Sequence, residues 1–401
     1  MAATEAAKNP GLTRDALIEG ARALRDKSRE RVNETEALRR LPEVALSEIR
    51  ALRVNRVLQP ARYGGAELDF GALMDVCGTV AQGCASTGWV LAQYCMHAFM
   101  IGSWPHDMQE EIWGRKPEAL LSGSLVFPLG RATRDAGGYR VSGRWPFASG
   151  VPGSDWHMCS AFLEPDRAGE PPVMIMFMLP KADYELIDNW HVIGLRGTGS
   201  IDVKLDNHFV PAHRALTVEE TKMGQAPGAK LHDSPLYRIP TYAAFGFVQG
   251  GAAIGNAQGM YDSYVTETKT RAAKSTGRGL ADHQAMQLRV AEAGACIDTA
   301  RILLQNDAAE MYRLAAAHEY PNMGQRTRYR RDGAFASQLC TRGVDALYAV
   351  AGGGALYTNN PMERYFRDAH AINAHITMNW EVNATAFGRA ALGLSADSPA
   401  L

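Results

Sequence analysis

Apolar positions recur at spacings of three and four through LTRDALIEGARALRDKSRERVNETEALRRLP, with charges between them, which predicts amphipathic helix from residue 12 onward. ARYGG (61–65) predicts a turn. The stretch after it, LDFGALMDVCGTVAQGCASTGWVLAQYCMHAFMIGSW, is apolar on every side, as a buried helical segment is. Between 121 and 215 the pattern changes. WHMCSAFL and PPVMIMFMLP are short β-prone runs bounded by Gly, Pro and Asp, and SIDVKLDNHFV alternates apolar with polar residues like a half-exposed strand. Gly137-Gly138 marks a hairpin turn. Residues 217–234 read as a loop, and from about 235 helical period returns in HQAMQLRVAEAGACIDTARILLQNDAAEMYRLAAA, RDGAFASQLCTRGVDALYAVAG and HITMNWEVNATAFGRAALGL. Four helices of roughly 20–30 residues with short connections predict an antiparallel bundle. The expectation is an α+β chain: a helical domain over 1–120, an antiparallel, barrel-like β domain over 121–225 and a four-helix bundle over 226–401.

TYAAFGFVQGGAAIGNAQGMY (241–261) has no charged residue across a length able to span a bilayer. Its two Gln, one Asn and five Gly, and its lack of a Leu/Ile/Val run, predict a buried, close-packed helix instead. Surface left apolar by such a helix predicts association of several copies.

Charge adds an exclusion. Lys plus Arg total 42 against 43 Asp plus Glu, a net charge of −1, which gives no electrostatic reason to expect nucleic acid or a membrane surface as partner. The six cysteines form no CxxC and no zinc spacing, so they predict reduced, buried thiols in a cytoplasmic protein. The N-terminal residues lack the apolar core of a signal peptide.

RYFRDAHAINAHITMNWE (364–381) raises the question of chemistry. His370 and His375 are five residues apart; on one helix they would point about 140° from each other, whereas a metal pair wants i,i+4. The expectation is no metal. No GxGxxG with its acidic partner and no P-loop occurs, so the chain shows no pyridine-nucleotide site of its own.

LQPARYGGAELDF, WHVIGLRGTGSIDVKLDNHFVP (190–211) and AGGGALYTNNPMERYFRDA (351–369), in that order, resemble the acyl-CoA dehydrogenase fold over nearly the whole chain. Many such dehydrogenases carry a glutamate base seven residues beyond the Ala of Arg-Asp-Ala. Here that position is Ile376, which accepts no proton, and LLSGSLVFPLGRA replaces the family's Glu-Pro…Gly-Ser-Asp signature. Dehydrogenation of an acyl thioester is therefore not what the resemblance implies. His97-Ala98, SGS (122–124), RWPFASG (144–150), YRIP (237–240) and AHITMNWE (374–381) resemble instead the oxygenase components of two-component flavin monooxygenases, of the 4-hydroxyphenylacetate 3-hydroxylase and secosteroid phenol hydroxylase type.

That resemblance implies reduced FMN or FAD delivered by a separate NAD(P)H:flavin reductase, O2 as co-substrate, and hydroxylation of an aromatic, phenolic ring through a C4a-hydroperoxyflavin. It implies a homotetramer. It places Ser149 against flavin N5 with Phe147 stacked beside it, and His97 as base toward the substrate hydroxyl with Ser122 or Ser124 on the same oxygen. His375 falls near the flavin C4a side, and Arg238 beside the reduced ring. Gly352, Gly353 and Gly354 allow close approach of a flavin phosphate or ribityl chain, and Arg271 resembles the family's phosphate-binding arginine. Ala349 stands where the family has glutamine, which weakens an adenine-end contact and fits FMN or a loosely held FAD, and the aromatic-Gly pair that follows the family's arginine is missing after Arg271. His157, His191, His208, His213 and His370 carry no motif and are expected to be structural or exposed. Three other functions remain open on the same residues: oxygenation of indole, nitrogen or sulfur; an acyl-CoA dehydrogenase or oxidase with a displaced base; and a non-catalytic scaffold.

Overall fold

A computed structural model describes residues 12–167, 169–222, 224–272, 277 and 279–396; the first eleven residues of the N-terminal reading lie outside these. Helix α1 (Arg14–Glu30) starts where Thr13 accepts from the Ala16 N–H, and it buries Leu17, Ala21 and Leu24, one turn apart. Helices α2 (Val32–Leu38) and α3 (Glu43–Ala51) complete the outer layer. The predicted long apolar stretch is two helices, α4 (Phe70–Ala81) and α5 (Ala85–Gly102), followed by the short α6 (His106–Gln109).

Eight strands follow among the described residues: β1 (Leu121–Ser124), β2 (Gly130–Asp135), β3 (Gly138–Ala148), β4 (Trp156–Leu163), β5 (Val173–Pro180), β6 (Glu185–Ile187), β7 (Ile201–Pro211) and β8 (Ala215–Thr217). They form one sheet in the order β6-β7-β3-β2-β4-β5-β8, with β1 added on β4. Most pairings are antiparallel, as alternation predicts, but β1–β4 and β2–β4 are parallel. Strands β4 and β5 are apolar on both faces. Met158, Met176 and Met178 face the helical core, whereas Cys159, Ala161 and Phe177 point into a second core enclosed by the strands.

The chain returns to helix in α7 (Phe245–Thr270), α8 (Gln284–Ala316) and α9 (Met323–Ala351). Helix α7 crosses α4 backbone to backbone: a Cβ on Gly255 would sit 2.1 Å from the Gly78 carbonyl oxygen. That explains the small residues of the uncharged stretch, and no helix among the described residues is long and apolar enough to cross a membrane. The six cysteines are free and buried.

The fourth bundle helix departs from expectation. It is broken into α10 (Pro361–Asn373) and α11 (Trp380–Ala391), because Asn379 caps a new helix by accepting from the Val382 N–H. His375 lies in the break, so the angular argument that treated His370 and His375 as helix neighbours does not describe them.

Candidate active site

Helix α5 is buried on all sides, so its polar groups need partners. They find them on two loops of the sheet. The Trp89 indole N–H donates to Ser149 Oγ at 3.1 Å, and Tyr94 OH donates to the Gly150 carbonyl at 2.7 Å. Ser86 Oγ accepts from the Gly197 N–H at 3.2 Å. Both loops hold residues in the left-handed region: Phe147 at φ 62°, in the bulge where β3 departs from β7, and Leu195 at φ 51°. A bulky side chain in that region costs about 1–3 kcal/mol and persists only where the surroundings over-determine it. Here hydrogen bonds do so. The Leu195 N–H donates to Asp368 of α10 at 2.6 Å, and the Gly150 N–H to the Thr198 carbonyl at 2.9 Å. Burial pushes the Asp368 carboxyl up to about 6.

A chain of hydroxyls joins the loops. Ser149 Oγ lies 2.8 Å from Ser200 Oγ, which lies 2.7 Å from Thr198 Oγ1, and Thr198 donates to the Leu195 carbonyl at 2.9 Å. Ser200 and Thr198 were not singled out by sequence reading; their one signal is a pair of small hydroxyls in the glycine-rich RGTGS just before β7.

Two histidines border this cluster. The His375 ring meets Trp89 edge to face, centroids 5.3 Å apart. Its Nδ1 accepts from the Thr377 backbone N–H at 3.3 Å, with Thr377 Oγ1 at 2.8 Å, so the ring hydrogen sits on Nε2. His97, eight residues beyond Trp89, lies about 12 Å further along α5. Its Nδ1 is 2.8 Å from the Gln93 carbonyl, which only accepts, so Nδ1 carries the hydrogen and Nε2 is a bare acceptor. That Nε2 rests over β1 at Gly123, 2.2 Å from where a Cβ would stand, so any side chain at 123 would displace the ring. Burial lowers both imidazoles to about 4, which keeps them neutral. One ring therefore presents an acceptor and the other a donor.

The structure separates Ser122 and Ser124 from His97. Strand alternation turns Gly123 toward the ring and the two hydroxyls to the opposite face. Ser122 Oγ lies 2.9 Å from both Ser154 Oγ and His157 Nδ1, and Ser124 donates to the Pro146 carbonyl at 2.6 Å. His157 is fully buried there, its pKa lowered to about 3 by burial and then by the nearby His97 ring, and its Nε2 has no partner.

Phe147 presents its ring outward, 63% exposed, against Trp190. Arg238 is half-buried and donates to the Asp233 carbonyl at 3.3 Å; it follows Tyr237, whose ring packs on Phe99 and Gly102 at the other end of α5 from Trp89. Arg271 ends α7, paired with Glu267 at 2.6 Å. Gly352, Gly353 and Gly354 end α9, with open space where their Cβ atoms would be. Among the described residues Arg238, Arg271 and Gly352–Gly354 make no hydrogen bond, ion pair or ring contact with Ser149, Trp89 or His375.

The Ser149 end of the cluster suits the N5–C4a edge of a flavin. It offers a hydroxyl oxygen with a lone pair to spare, an imidazole N–H at His375 and an uncovered aromatic face at Phe147.

Comparison with known proteins bears on the chain as a whole. The family model "Acyl-CoA dehydrogenase, C-terminal domain" matches residues 247–380. The FADH(2)-dependent resorcinol hydroxylase, oxygenase component, of Rhizobium sp. (strain MTP-10005) is 33% identical over 94% of each chain. The crystal structure of 3-HSA hydroxylase from Rhodococcus sp. RHA1 superposes with TM-score 0.91 at 31% identity, covering 97% of this chain and 100% of that one. XiaF from Streptomyces sp., solved in complex with FADH2 and glycerol, gives TM-score 0.89 at 27% identity, covering 97% and 98%.

Proposed function

The chain belongs to the oxygenase components of two-component flavin-dependent monooxygenases on the acyl-CoA dehydrogenase fold, and we propose that it hydroxylates a phenolic ring using reduced flavin from a separate NAD(P)H:flavin reductase. The observation that carries this reading is a pair of buried histidines at the two ends of one stretch of α5, with Nδ1 against a carbonyl in His97 and against a backbone N–H in His375.

Reduced flavin, when bound, activates O2; one oxygen atom enters the ring and the other leaves as water with the two hydrogens of the reduced flavin. The protein supplies the rest. His97 Nε2, bare and neutral, takes the hydrogen of the substrate hydroxyl, which raises electron density on the ring carbon to be attacked. The His375 Nε2–H would donate a hydrogen bond beside the flavin, and as a neutral imidazole it has no further proton to hand over. Ser149 would accept from flavin N5, and Phe147 would cover the ring. The backbone of β1 at Gly123 borders the substrate beside His97, with Ser122 and Ser124 holding that strand from behind. Arg238, Arg271 and Gly352–Gly354 lie outside this cluster in one chain. In a homotetramer these residues of a second copy would hold the phosphate and ribityl chain of FMN or FAD.

The test supplies photoreduced FAD or FMN to the purified protein, admits O2 and counts product and H2O2 with resorcinol, 4-hydroxyphenylacetate and indole. Hydroxylated phenol is the expected result. Electrons recovered wholly as H2O2 with every phenol, or turnover of indole alone, overturns the phenol assignment.

A further inference from the structure

The hydroxyl chain that starts at Ser149 has a direction, and its far end sets it. Thr198 Oγ1 lies 2.9 Å from the Leu195 carbonyl oxygen. A carbonyl has no hydrogen to give, and two bare oxygens at that distance repel, so Thr198 donates. With its hydrogen committed, Thr198 only accepts at its 2.7 Å contact with Ser200, and Ser200 is the donor there. The same step repeats one link on, so Ser149 donates to Ser200 across 2.8 Å. Ser149 also accepts from the Trp89 indole, which never accepts. Every hydrogen in the chain therefore points away from α5. Ser149 keeps one lone pair for a ligand and no hydrogen. Neither end is free to slide, since Asp368 holds the Leu195 N–H and Thr198 holds the Gly150 N–H.

We propose that Ser200 and Thr198 are positioning residues that fix Ser149 as a hydrogen-bond acceptor, and thereby make the site select reduced flavin, whose N5 bears a hydrogen, over oxidised flavin, whose N5 bears only a lone pair. The inference rests on the placement of N5 at Ser149 in the reading above. To serve oxidised flavin the chain must reverse, link by link, and leave the Leu195 and Thr198 oxygens facing each other without a hydrogen. One buried hydrogen bond left unmade corresponds to roughly 5- to 150-fold in binding. An enzyme fed by diffusion from a reductase gains from this: the site fills with the charged form and empties of the spent one.

The readout is the ratio of dissociation constants for oxidised and reduced flavin, from equilibrium titrations of the whole protein, the reduced arm anaerobic, with FAD and with FMN. Thr198→Val and Ser200→Ala release the Ser149 hydrogen, and the ratio falls by roughly 5- to 150-fold, chiefly through tighter binding of the oxidised form. Thr198→Ser keeps the hydroxyl and keeps the wild-type ratio, which a merely structural role at 198 would not predict. A melting curve accompanies each variant; Thr198→Val is isosteric and decides alone if Ser200→Ala does not fold. If Ser149→Ala weakens reduced-flavin binding while Thr198→Val leaves the ratio unchanged, the relay is overturned and the placement of N5 stands. If Ser149→Ala leaves reduced-flavin binding unchanged, the placement falls and the proposal with it.

Discussion

The hydroxyl network around Ser149 and the carboxylate cluster between α8 and α9 are both buried and polar, yet they satisfy their atoms in opposite ways. In the first, each hydroxyl both donates and accepts, and Ser149 keeps an acceptor lone pair for a ligand. In the second, Asp307, Glu310 and Asp332 crowd around Arg328 and Arg331, and Asp307 Oδ2 has no partner. The Ser149 network thus satisfies each of its hydroxyls, whereas the carboxylate cluster leaves a carboxylate oxygen orphaned. The two regions also titrate against each other. Burial holds His97 and His375 near 4, so their stabilising contribution is complete above the ordinary histidine pKa of about 6.5 and is lost as pH falls toward 4. Burial, and then the charge of Asp332, raises the Asp307 carboxyl well above its usual range, so its contribution runs the other way.

The largest test of the contrast is His97→Ala. Loss of a general base is typically worth about 10²–10⁴ in rate, far beyond the effect of repacking one buried side chain. Single-turnover product formation should fall by that factor, with reduced-flavin binding retained and peroxide released in place of product. Product formation at the wild-type rate in a folded variant would return His97 to the core.

Smaller, and at a different step, is His375→Ala. One donor hydrogen bond lost, worth about 1–3 kcal/mol, speeds peroxide release from the reduced-flavin complex under O2 by roughly 5- to 150-fold. The effect should appear with no substrate present, whereas His97→Ala leaves substrate-free peroxide release unchanged. Identical behaviour of the two variants would mean that the opposite tautomers have no opposite roles.

Much of this fold was legible because period reports burial directly. The α1 stripe, the alternation of β7 and the uncharged stretch of α7 each followed from residue spacing alone. The parallel pairing of β1 with β4 was not, since a register between strands 35 residues apart leaves no local trace. The break before α11 had a signal that went unused, an Asn at 379 that caps the Val382 N–H. Ser122 and Ser124 illustrate a second missed rule: in SGS on a strand, the glycine and the serines must face opposite ways. His97, Ser149 and His375 came from resemblance to a family, not from spacing. Ser200 and Thr198 were out of reach, because what they do depends on which oxygen carries a hydrogen, and that is fixed by a carbonyl brought close only on folding.

The smallest predicted effect concerns the carboxylate cluster and carries the opposite sign of pH dependence. A carboxyl with a raised folded pKa binds its proton more tightly in the native state than in the unfolded one. Its stabilisation is therefore present at low pH and lost as pH rises from the ordinary carboxylate value of about 4 toward neutrality. Asp307→Asn keeps an acceptor for Arg328, which lies 3.2 Å from the carboxylate, and leaves Glu310 and Asp332 to balance Arg328 and Arg331. It should raise the melting temperature by roughly 1–4 °C at pH 8 and by less at pH 5. Product and peroxide yields should stay at wild type, since the cluster lies between α8 and α9, outside the hydroxyl network and its histidines. A variant less stable at pH 8 than at pH 5, relative to wild type, would show that the native state holds Asp307 ionised by its arginines and does not strain against its charge.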